Sequence, residues 1–281
     1  RLTVTEEKDG QRPAGHHQPR RDQLSGMLAA LIALLMALFL ILPLLALVWR
    51  AFMLDGDLPL ADQALFQALS LSLGTTALAV LLTLLLGTPL AYFLARYNFP
   101  LRRLVSLFVE LPIVMPPVVA GLALLAAFGR RGLLGAPLAE LNVTITFTTT
   151  AVVLAQLFVS APFYIRAAQS RFQELPRVYE DAAAVDGADR WQIFWFVMLP
   201  QSRRALLAGL ILSWARALGE FGATILFAGN LTGRTQTMPL LVYGALEQDL
   251  RTTFVTALIL LALALVAFIL TRWLAGLDRI T

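Results

Sequence analysis

The sequence predicts an all-α integral membrane protein with six transmembrane helices. Apolar residues make up 58% of its 281 residues and charged residues only 14%, whereas a typical soluble domain has about 25% charged residues. The apolar residues are gathered into runs of the length that crosses a bilayer, about 20 residues. Each run must be helical, because no other single segment satisfies its own backbone hydrogen bonds in lipid.

Six runs have this length and composition, and we assign one span to each: residues 27–49, 68–95, 104–128, 148–169, 203–228 and 252–274. The first run is longer than the apolar region of a signal peptide and lacks a small-residue cleavage site, so we predict a retained span. Residues 1–25 are polar and have no apolar period, which predicts a disordered cytoplasmic tail. Residues 26–281 are then the six-helix domain.

The third span contains Glu110 and three prolines, Pro112, Pro116 and Pro117. Proline removes a backbone donor and clashes with the preceding turn, so this helix should be kinked or interrupted. Membrane helices tolerate such a break where the freed backbone groups face protein or a water-filled cavity. A kink that serves packing alone is the alternative, and the sequence leaves both open.

Basic residues predict the orientation of the spans. With the N-terminus inside, Lys and Arg residues favour the cytoplasmic side by about three to one, which places both termini in the cytoplasm. The net charge of +4 therefore reflects topology, and no basic stripe with interleaved aromatic residues indicates nucleic-acid binding. The chain has no cysteine, which excludes disulfides and thiolate metal sites. We predict neither a metal site nor a catalytic site.

The longest cytoplasmic connection, residues 170–202, contains a polar, small-residue helical segment that predicts a docking element. Acidic residues early in a helix are favourable, and the alanines that follow Asp181 are strong helix formers without bulk. Gly187 can adopt a positive φ and end the helix. Four aromatic residues suited to the membrane interface follow: Trp191, Phe194, Trp195 and Phe196.

This segment resembles the cytoplasmic signature of permease subunits of bacterial and archaeal ABC importers. The acid and two alanines, the glycine, and the final Leu-Pro pair keep the spacing of that signature, although Asp181 stands for Glu and Val197 for Ile. Glu180 is an alternative for the acid. The resemblance implies a type I importer architecture and a coupling helix that contacts an ATPase subunit. The implied contact residues are Glu180, Asp181, Ala182, Ala183, Gly187, Leu199 and Pro200.

The fifth span carries two charges, Arg216 and Glu220, which are four residues apart and share a helical face. Charges inside a membrane are costly, so they should pair with each other or line a wet path. An ion pair that only fixes helix packing and a role in translocation both remain open. Ala215, Gly219 and Ala223 repeat every four residues, a spacing that allows close helix approach, as at a two-fold dimer axis.

The stretch from Ala215 to Ala223 and the polar loop after it resemble permeases for tetrahedral oxyanions. Residues 220–224, the loop 233–239 and residues 130–135 are most similar to the molybdate branch. The resemblance implies molybdate import, with tungstate and sulfate or thiosulfate as alternatives. The residues implied for the translocation path or gate are Arg216, Glu220, Thr224, Thr235 and Thr237.

The resemblance also implies partners and a location. The partners are a second copy of the chain, two ATP-binding cassette subunits that carry ATP and Mg²⁺, an extracytoplasmic oxyanion-binding protein, and the lipid of a prokaryotic inner membrane. This chain has no GxxxxGK[ST] loop, so we expect no cofactor on it and no enzyme activity. A membrane enzyme is a poor alternative, because the spans lack paired catalytic groups. An ion-driven secondary transporter is another, although such proteins usually have internal inverted repeats and we detect none.

Overall fold

The computed structural model describes residues 19–53 and 63–276, and these ranges are helical with no strand. The all-α prediction is therefore confirmed. The helices are α1 (Pro19–Met53), α2 (Gln63–Arg96), α3 (Arg102–Val114), α4 (Pro117–Phe128), α5 (Gly135–Glu140), α6 (Thr149–Glu174), α7 (Val178–Val185), α8 (Arg190–Ile193), α9 (Leu199–Leu218), α10 (Gly222–Ala228), α11 (Met238–Ala245) and α12 (Leu250–Gly276). A single π-helical turn, Phe194–Met198, joins α8 to α9.

The chain divides into two compact units, Arg1–Trp49 and Arg50–Thr281, and α1 supplies the described part of the first. The boundary that we predict at residue 25, between a tail and a six-helix domain, stays a prediction. Helix α1 begins at Pro19, so residues 19–25 of the predicted disordered tail are helical. Residues 1–18 lie outside the described part of the chain.

Four described helices are long and apolar enough to cross a membrane without interruption: α1, α2, α6 and α12. The predicted fifth span is bent by 59° between Leu218 and Gly222, so it is a broken span rather than the continuous helix that we expected. The predicted third span consists of α3 and α4, which are separated at Met115 and Pro116. The proline interruption predicted for this span is therefore confirmed.

Helix α6 lies at the centre of the second unit and packs against α2 and α9 at two glycines. A Cβ on Gly87 of α2 would lie 3.0 Å from Ile165 Cγ1, and a Cβ on Gly209 of α9 would lie 3.1 Å from Ala167 Cβ. Small residues of this kind allow membrane helices to approach closely. Tyr164 is fully buried at this junction, and its hydroxyl is hydrogen-bonded to the Thr88 hydroxyl.

Buried hydroxyl groups line the packed face of α2. The Thr76 hydroxyl donates to the Ser72 carbonyl at 2.7 Å, which satisfies it within the helix. Thr76 Oγ1 also accepts a hydrogen bond from Trp214 Nε1 of α9 at 3.1 Å, and Ser72 Oγ accepts one from the Met238 amide of α11 at 2.8 Å. These bonds fix α2 against α9 and α11 in a region with little water to compete.

A close contact between α4 and α10 changes our interpretation of the small residues in the fifth span. A Cβ on Gly222 would lie 2.5 Å from Pro117 Cβ, and a Cβ on Gly121 would lie 3.1 Å from the Ala223 Cα. Because α9 ends at Leu218, Ala223 does not share a helix face with Ala215. Ala223 is fully buried against α4 of the same chain, so the predicted four-residue stripe does not form.

Candidate functional site

The predicted docking segment consists of two short helices, α7 and α8, joined by a tight turn. Gly187 has a φ of +89°, which L-amino acids with a side chain rarely adopt. The Gly187 amide donates to the Ala184 carbonyl at 3.1 Å, and the Ala188 amide donates to the Ala183 carbonyl at 3.0 Å. These bonds close the end of α7 in the manner of a glycine C-cap. The predicted helix end at Gly187 is confirmed.

A capping box starts α8 immediately after this turn. The Gln192 amide donates to Asp189 Oδ1 at 2.8 Å, and the Asp189 amide donates to Gln192 Oε1 at 2.9 Å. Such reciprocal bonds satisfy amides that the first turn of a helix leaves without partners. The caps at Gly187 and Asp189 give the docking segment a defined shape from residues that are neighbours in sequence.

The surface of α7 is exposed along its length, and none of its residues is buried. Asp181, Ala182 and Gly187 are exposed, and a Cβ on Gly187 would meet no atom within 4 Å. Val178 and Val185 are also exposed. Ala183 differs, because it is partly buried against the core cluster beneath the helix. Asp181, Ala182 and Gly187 therefore belong to an accessible surface, whereas Ala183 does not.

An ion pair joins α7 to the last residue of α2. Arg96 Nε lies 2.9 Å from Glu180 Oε1, and the two side chains are only 8% and 19% exposed. Arg96 Nη2 also donates to the Leu175 carbonyl at the end of α6, at 2.9 Å. Glu180 is the alternative to Asp181 for the acid of the signature. The structure gives them different positions, since Glu180 faces the protein and Asp181 faces solvent.

Aromatic side chains pack beneath this ion pair and connect three elements. Tyr92 of α2 lies edge-on to Phe172 of α6, with ring centroids 5.6 Å apart, and 4.9 Å from Phe194 of the π-helical turn. Phe194 is buried, so its predicted place at the membrane interface is wrong. The other three predicted interface aromatics, Trp191, Trp195 and Phe196, are exposed.

The Leu-Pro pair of the signature shapes the start of α9. Pro200 has no amide to donate, and the Leu199 amide donates to the Phe194 carbonyl five residues earlier. The resulting π-helical turn shifts the register, so that Phe194 and Met198 are both buried. Leu199 packs against the same core cluster, and Pro200 is exposed. Both residues therefore have a structural role at the base of α9.

The second predicted site lies at the bend between α9 and α10. Arg216 Nη1 lies 2.8 Å from Glu220 Oε2, so the predicted pairing is present. Glu220 Oε1 also accepts a hydrogen bond from the Ala223 amide at 2.8 Å. The Glu220 side chain is 1% exposed and that of Arg216 is 30% exposed. The carboxylate thus bridges the end of one helix to the start of the next across the 59° bend.

The three threonines assigned to the path are buried within the chain. The Thr235 hydroxyl accepts a hydrogen bond from the Leu231 amide at 3.0 Å and donates to the Gly229 carbonyl at 3.3 Å, which fixes the loop before α11. Thr224 lies in α10, and Thr237 lies immediately before α11. Contact of these threonines with a solute would require a conformational change that exposes them.

No group of three or more His, Cys, Asp and Glu side chains is placed to hold a metal ion in the parts of the chain that the structure describes.

The sequence does not reveal the role of Arg96, which enters our prediction only as one of the basic residues that set the membrane orientation. Its position as the last basic residue of α2 was visible, but its partner Glu180 is distant in sequence.

Comparison with known proteins places the chain among membrane components of transport systems. Residues 87–277 match the family described as "Binding-protein-dependent transport system inner membrane component". The chain is 35% identical over 262 residues to the probable transport system permease protein NifC of Clostridium pasteurianum, covering 92% of each chain. It is 37% identical over 217 residues to the molybdenum transport system permease protein ModB of Escherichia coli (strain K12), covering 76% of this chain and 95% of that one.

A sulfate relative and two solved structures extend the comparison. The chain is 40% identical over 212 residues to the sulfate transport system permease protein CysW of Synechococcus elongatus, covering 75% of this chain and 74% of that one. A chain of the bacterial alginate ABC transporter in complex with an alginate pentasaccharide-bound periplasmic protein superimposes with a TM-score of 0.70 at 18% identity, covering 92% and 95%. A chain of the inward-facing MetNI methionine ABC transporter superimposes with a TM-score of 0.56 at 18% identity, covering 76% and 94%. These structural matches establish a shared fold.

Proposed function

The chain belongs to the family of binding-protein-dependent transport system inner membrane components, and from that premise we propose that it forms the membrane pathway through which an ABC importer carries molybdate into the cytoplasm. The observation that supports this cargo is the 37% identity to a molybdenum permease along 95% of that protein. Sulfate is the second candidate, because the identity to a sulfate permease is 40% over a similar length. Molybdate and sulfate are both tetrahedral dianions, so the same polar groups along the membrane pathway could accommodate either anion.

ATP hydrolysis is assigned to separate subunits in this proposal. The relatives are transport permeases and not enzymes, and the sequence has no phosphate-binding loop. We propose that two copies of the chain assemble with two ATP-binding cassette subunits, which hold ATP and Mg²⁺. The exposed surface of α7, with Asp181, Ala182 and Gly187, is the proposed contact with the ATPase. An external oxyanion-binding protein would deliver the cargo on the opposite side, at loops 129–147 and 229–251.

Force would pass from α7 into the membrane through the contacts beneath it. When the ATPase dimer closes, α7 moves, and the Glu180–Arg96 ion pair transfers this movement to α2. The Tyr92, Phe172 and Phe194 rings transfer it to α6 and to the base of α9. These contacts are short and largely buried, which suits rigid transmission rather than loose tethering. The pathway between the two copies would then alternate between outward and inward access.

The proposed orientation follows the bias of basic residues. Both termini lie in the cytoplasm, as does α7, and this places the docking surface on the side where ATP is available. Arg216 and Glu220 mark the bend of the fifth span. In this proposal the bend opens during transport and exposes the buried Thr224 and Thr237 to the passing anion. A permanent dianion site would slow release, so the contact is transient.

Reconstitution tests this function directly. The chain, its cognate ATPase and its binding protein are placed in proteoliposomes, and uptake of molybdate, tungstate and sulfate is measured with and without ATP. We expect ATP-dependent uptake with a preference for molybdate. Preferential uptake of sulfate would identify sulfate, in place of molybdate, as the cargo. Uptake that is driven by an ion gradient without the ATPase would overturn the proposal.

A further inference from the structure

A cavity at the cytoplasmic ends of α6 and α9 plays no part in the mechanism above. It has a volume of about 530 Å³ and lies between the end of α6 and the start of α9. Its polar lining consists of three arginines, one carboxylate and one amide: Arg171, Arg203, Arg204, Glu174 and Gln201. The formal charge of this lining is positive, and the cavity is separate from the one beside the Arg96–Glu180 ion pair.

The cavity lies at the level where a bilayer changes from hydrocarbon to headgroups. Arg171 is about 33 Å along the helix axis from the start of α6, at about 1.5 Å per residue, and the hydrocarbon core is about 30 Å thick. Trp195 and Phe196 lie in the π-helical turn before α9 and are exposed, Phe196 by 78%. Exposed aromatic side chains at the end of a spanning helix are typical of the membrane–water interface.

Two contacts within the chain orient Arg171 at this cavity. Arg171 Nη2 donates to the Gln201 carbonyl at 3.1 Å, and Arg171 Nη1 lies 3.7 Å from Glu174 Oε2. These contacts orient the Arg171 guanidinium and leave further N–H donors for a ligand. Arg203 is exposed at the cavity. Guanidinium groups match phosphate oxygens with two parallel hydrogen bonds, which favours a phosphate over a simple halide.

The apolar surface next to the cavity favours a phosphate that carries acyl chains. Leu207 is exposed one helical turn beyond Arg203, on the same face of α9. A headgroup held by Arg203 would therefore place its acyl chains over Leu207, inside the hydrocarbon. Of the residues implied for the ATPase contact, Pro200 lines this cavity, whereas Asp181, Ala182 and Gly187 do not.

We propose that this cavity binds the headgroup of an anionic phospholipid from the inner leaflet. Arg171 and Arg203 contact the phosphate, and Glu174 accepts a hydrogen bond from a headgroup hydroxyl such as that of phosphatidylglycerol. Basic pockets between spanning helices on the cytoplasmic side attract anionic headgroups. The choice of leaflet rests on the proposed function, whereas the binding itself depends only on the cavity.

Native mass spectrometry of the complete complex tests the proposal with defined lipids. Phosphatidylglycerol and phosphatidylcholine with the same acyl chains are added to the purified transporter, and bound lipid is counted. The variant is R203E, and the matched control is R103E, which reverses another exposed charge, near the start of α3. We expect retention of phosphatidylglycerol over phosphatidylcholine, a roughly 10- to 30-fold weaker retention in R203E, and a change below about twofold in R103E.

Three results would overturn the proposal. The first is equal retention of the two lipids by the unaltered complex. The second is displacement of phosphatidylglycerol by millimolar inorganic phosphate, which would make the cavity a site for free phosphate. The third is an R203E variant that loses its ATPase subunit but keeps its lipid, because the surface would then belong to the ATPase contact. None of these measurements depends on cargo, so failure of molybdate uptake would leave the lipid result standing.

Discussion

Arg96 and Glu180 form a nearly buried ion pair of 2.9 Å that joins the end of α2 to α7. Arg96 also binds the Leu175 carbonyl, so one guanidinium connects three elements: α2, the end of α6 and α7. Replacing only one partner of an ion pair with so little solvent exposure is costly, because the charge that remains is still desolvated and has lost its partner. This geometry attaches α7 rigidly to the ends of α2 and α6.

The Arg96–Glu180 pair predicts a loss of coupling when it is broken. E180Q preserves the shape of the side chain and removes its charge, and R96Q additionally loses the bond to the Leu175 carbonyl. A hydrogen bond to a charged group contributes about 1–3 kcal/mol. We therefore expect uptake per ATP hydrolysed to fall about tenfold in E180Q and further in R96Q. Parallel measurement of uptake and ATPase rates in proteoliposomes gives this ratio.

R102Q is the matched control for that experiment, because Arg102 is basic, lies at the same end of the helices as Arg96, and donates to the side chain of Asn98, four residues earlier. Its ratio of uptake to hydrolysis should stay within about twofold of the unaltered protein. A normal ratio in both E180Q and R96Q would show that α7 transmits force by another route.

The position of Gly187 allows a separate test of how side-chain bulk affects the proposed contact with the ATPase. Its φ of +89° strains any L side chain, and the space around its Cβ position is open toward the outside. Strain costs about 1–2 kcal/mol in such a conformation, and G187A carries this strain with little bulk. We expect G187A to lower substrate-stimulated ATPase activity a fewfold and G187V more than tenfold, with assembly of the subunits retained. Equal activities for G187V and the unaltered protein would remove α7 from the ATPase contact.

The features predicted from sequence depend on residues that are close in the chain. The end of α7 at Gly187 follows from one glycine, and the interruption near Pro116 follows from the loss of backbone amides. The Arg96–Glu180 pair and the inward position of Phe194 were missed, because tertiary packing and a π-helical turn determine them. The bend at Glu220 was missed because the apolar run continues through it.

Gly222 predicts a packing requirement between α4 and α10. An added Cβ would lie 2.5 Å from Pro117 Cβ, a distance that forces the backbone to move. Overpacking of this kind costs about 1–3 kcal/mol, so G222A should lower the midpoint of thermal unfolding by several degrees in detergent. G74A is the control, since a Cβ on Gly74 of α2 would meet no atom within 4 Å and alanine favours the helix. An equal midpoint for both variants would refute this close contact.

Asp249 caps the start of α12, and we predict that the stability it contributes depends on pH. A hydrogen bond from the Thr252 hydroxyl holds the pKa of the Asp249 carboxyl below its ordinary value of 3.8, and the Arg251 amide also donates to it. A lowered pKa in the folded state gives stability that is present above the ordinary pKa and is lost as pH falls through the folded pKa.

The variant D249N isolates this cap, because it keeps the shape of the side chain and cannot ionise. Thermal unfolding is followed between about pH 3 and about pH 7. The unaltered protein should unfold about 1–3 °C above D249N at neutral pH. This difference should shrink below about pH 4, once the carboxyl begins to protonate. A difference that does not vary with pH would exclude the charge of Asp249 as its source.

Glu220 allows the structural and transport roles of the fifth span to be separated. Its carboxylate pairs with Arg216 and accepts a hydrogen bond from the Ala223 amide. E220Q therefore leaves the Arg216 charge without its partner and weakens the start of α10.

If the pair only fixes the bend, E220Q and R216Q should lower thermal stability and uptake together, with the KM for the anion unchanged. If the bend opens and Arg216 meets the anion, R216K should keep stability and raise the KM several-fold, because an ammonium group cannot form the two parallel hydrogen bonds of a guanidinium. We expect the second pattern, since Arg216 is 30% exposed and Glu220 holds only one of its nitrogen atoms at 2.8 Å. Unfolding midpoints and uptake kinetics of the same three preparations decide between the two, and an unchanged KM in R216K would assign the pair to packing alone.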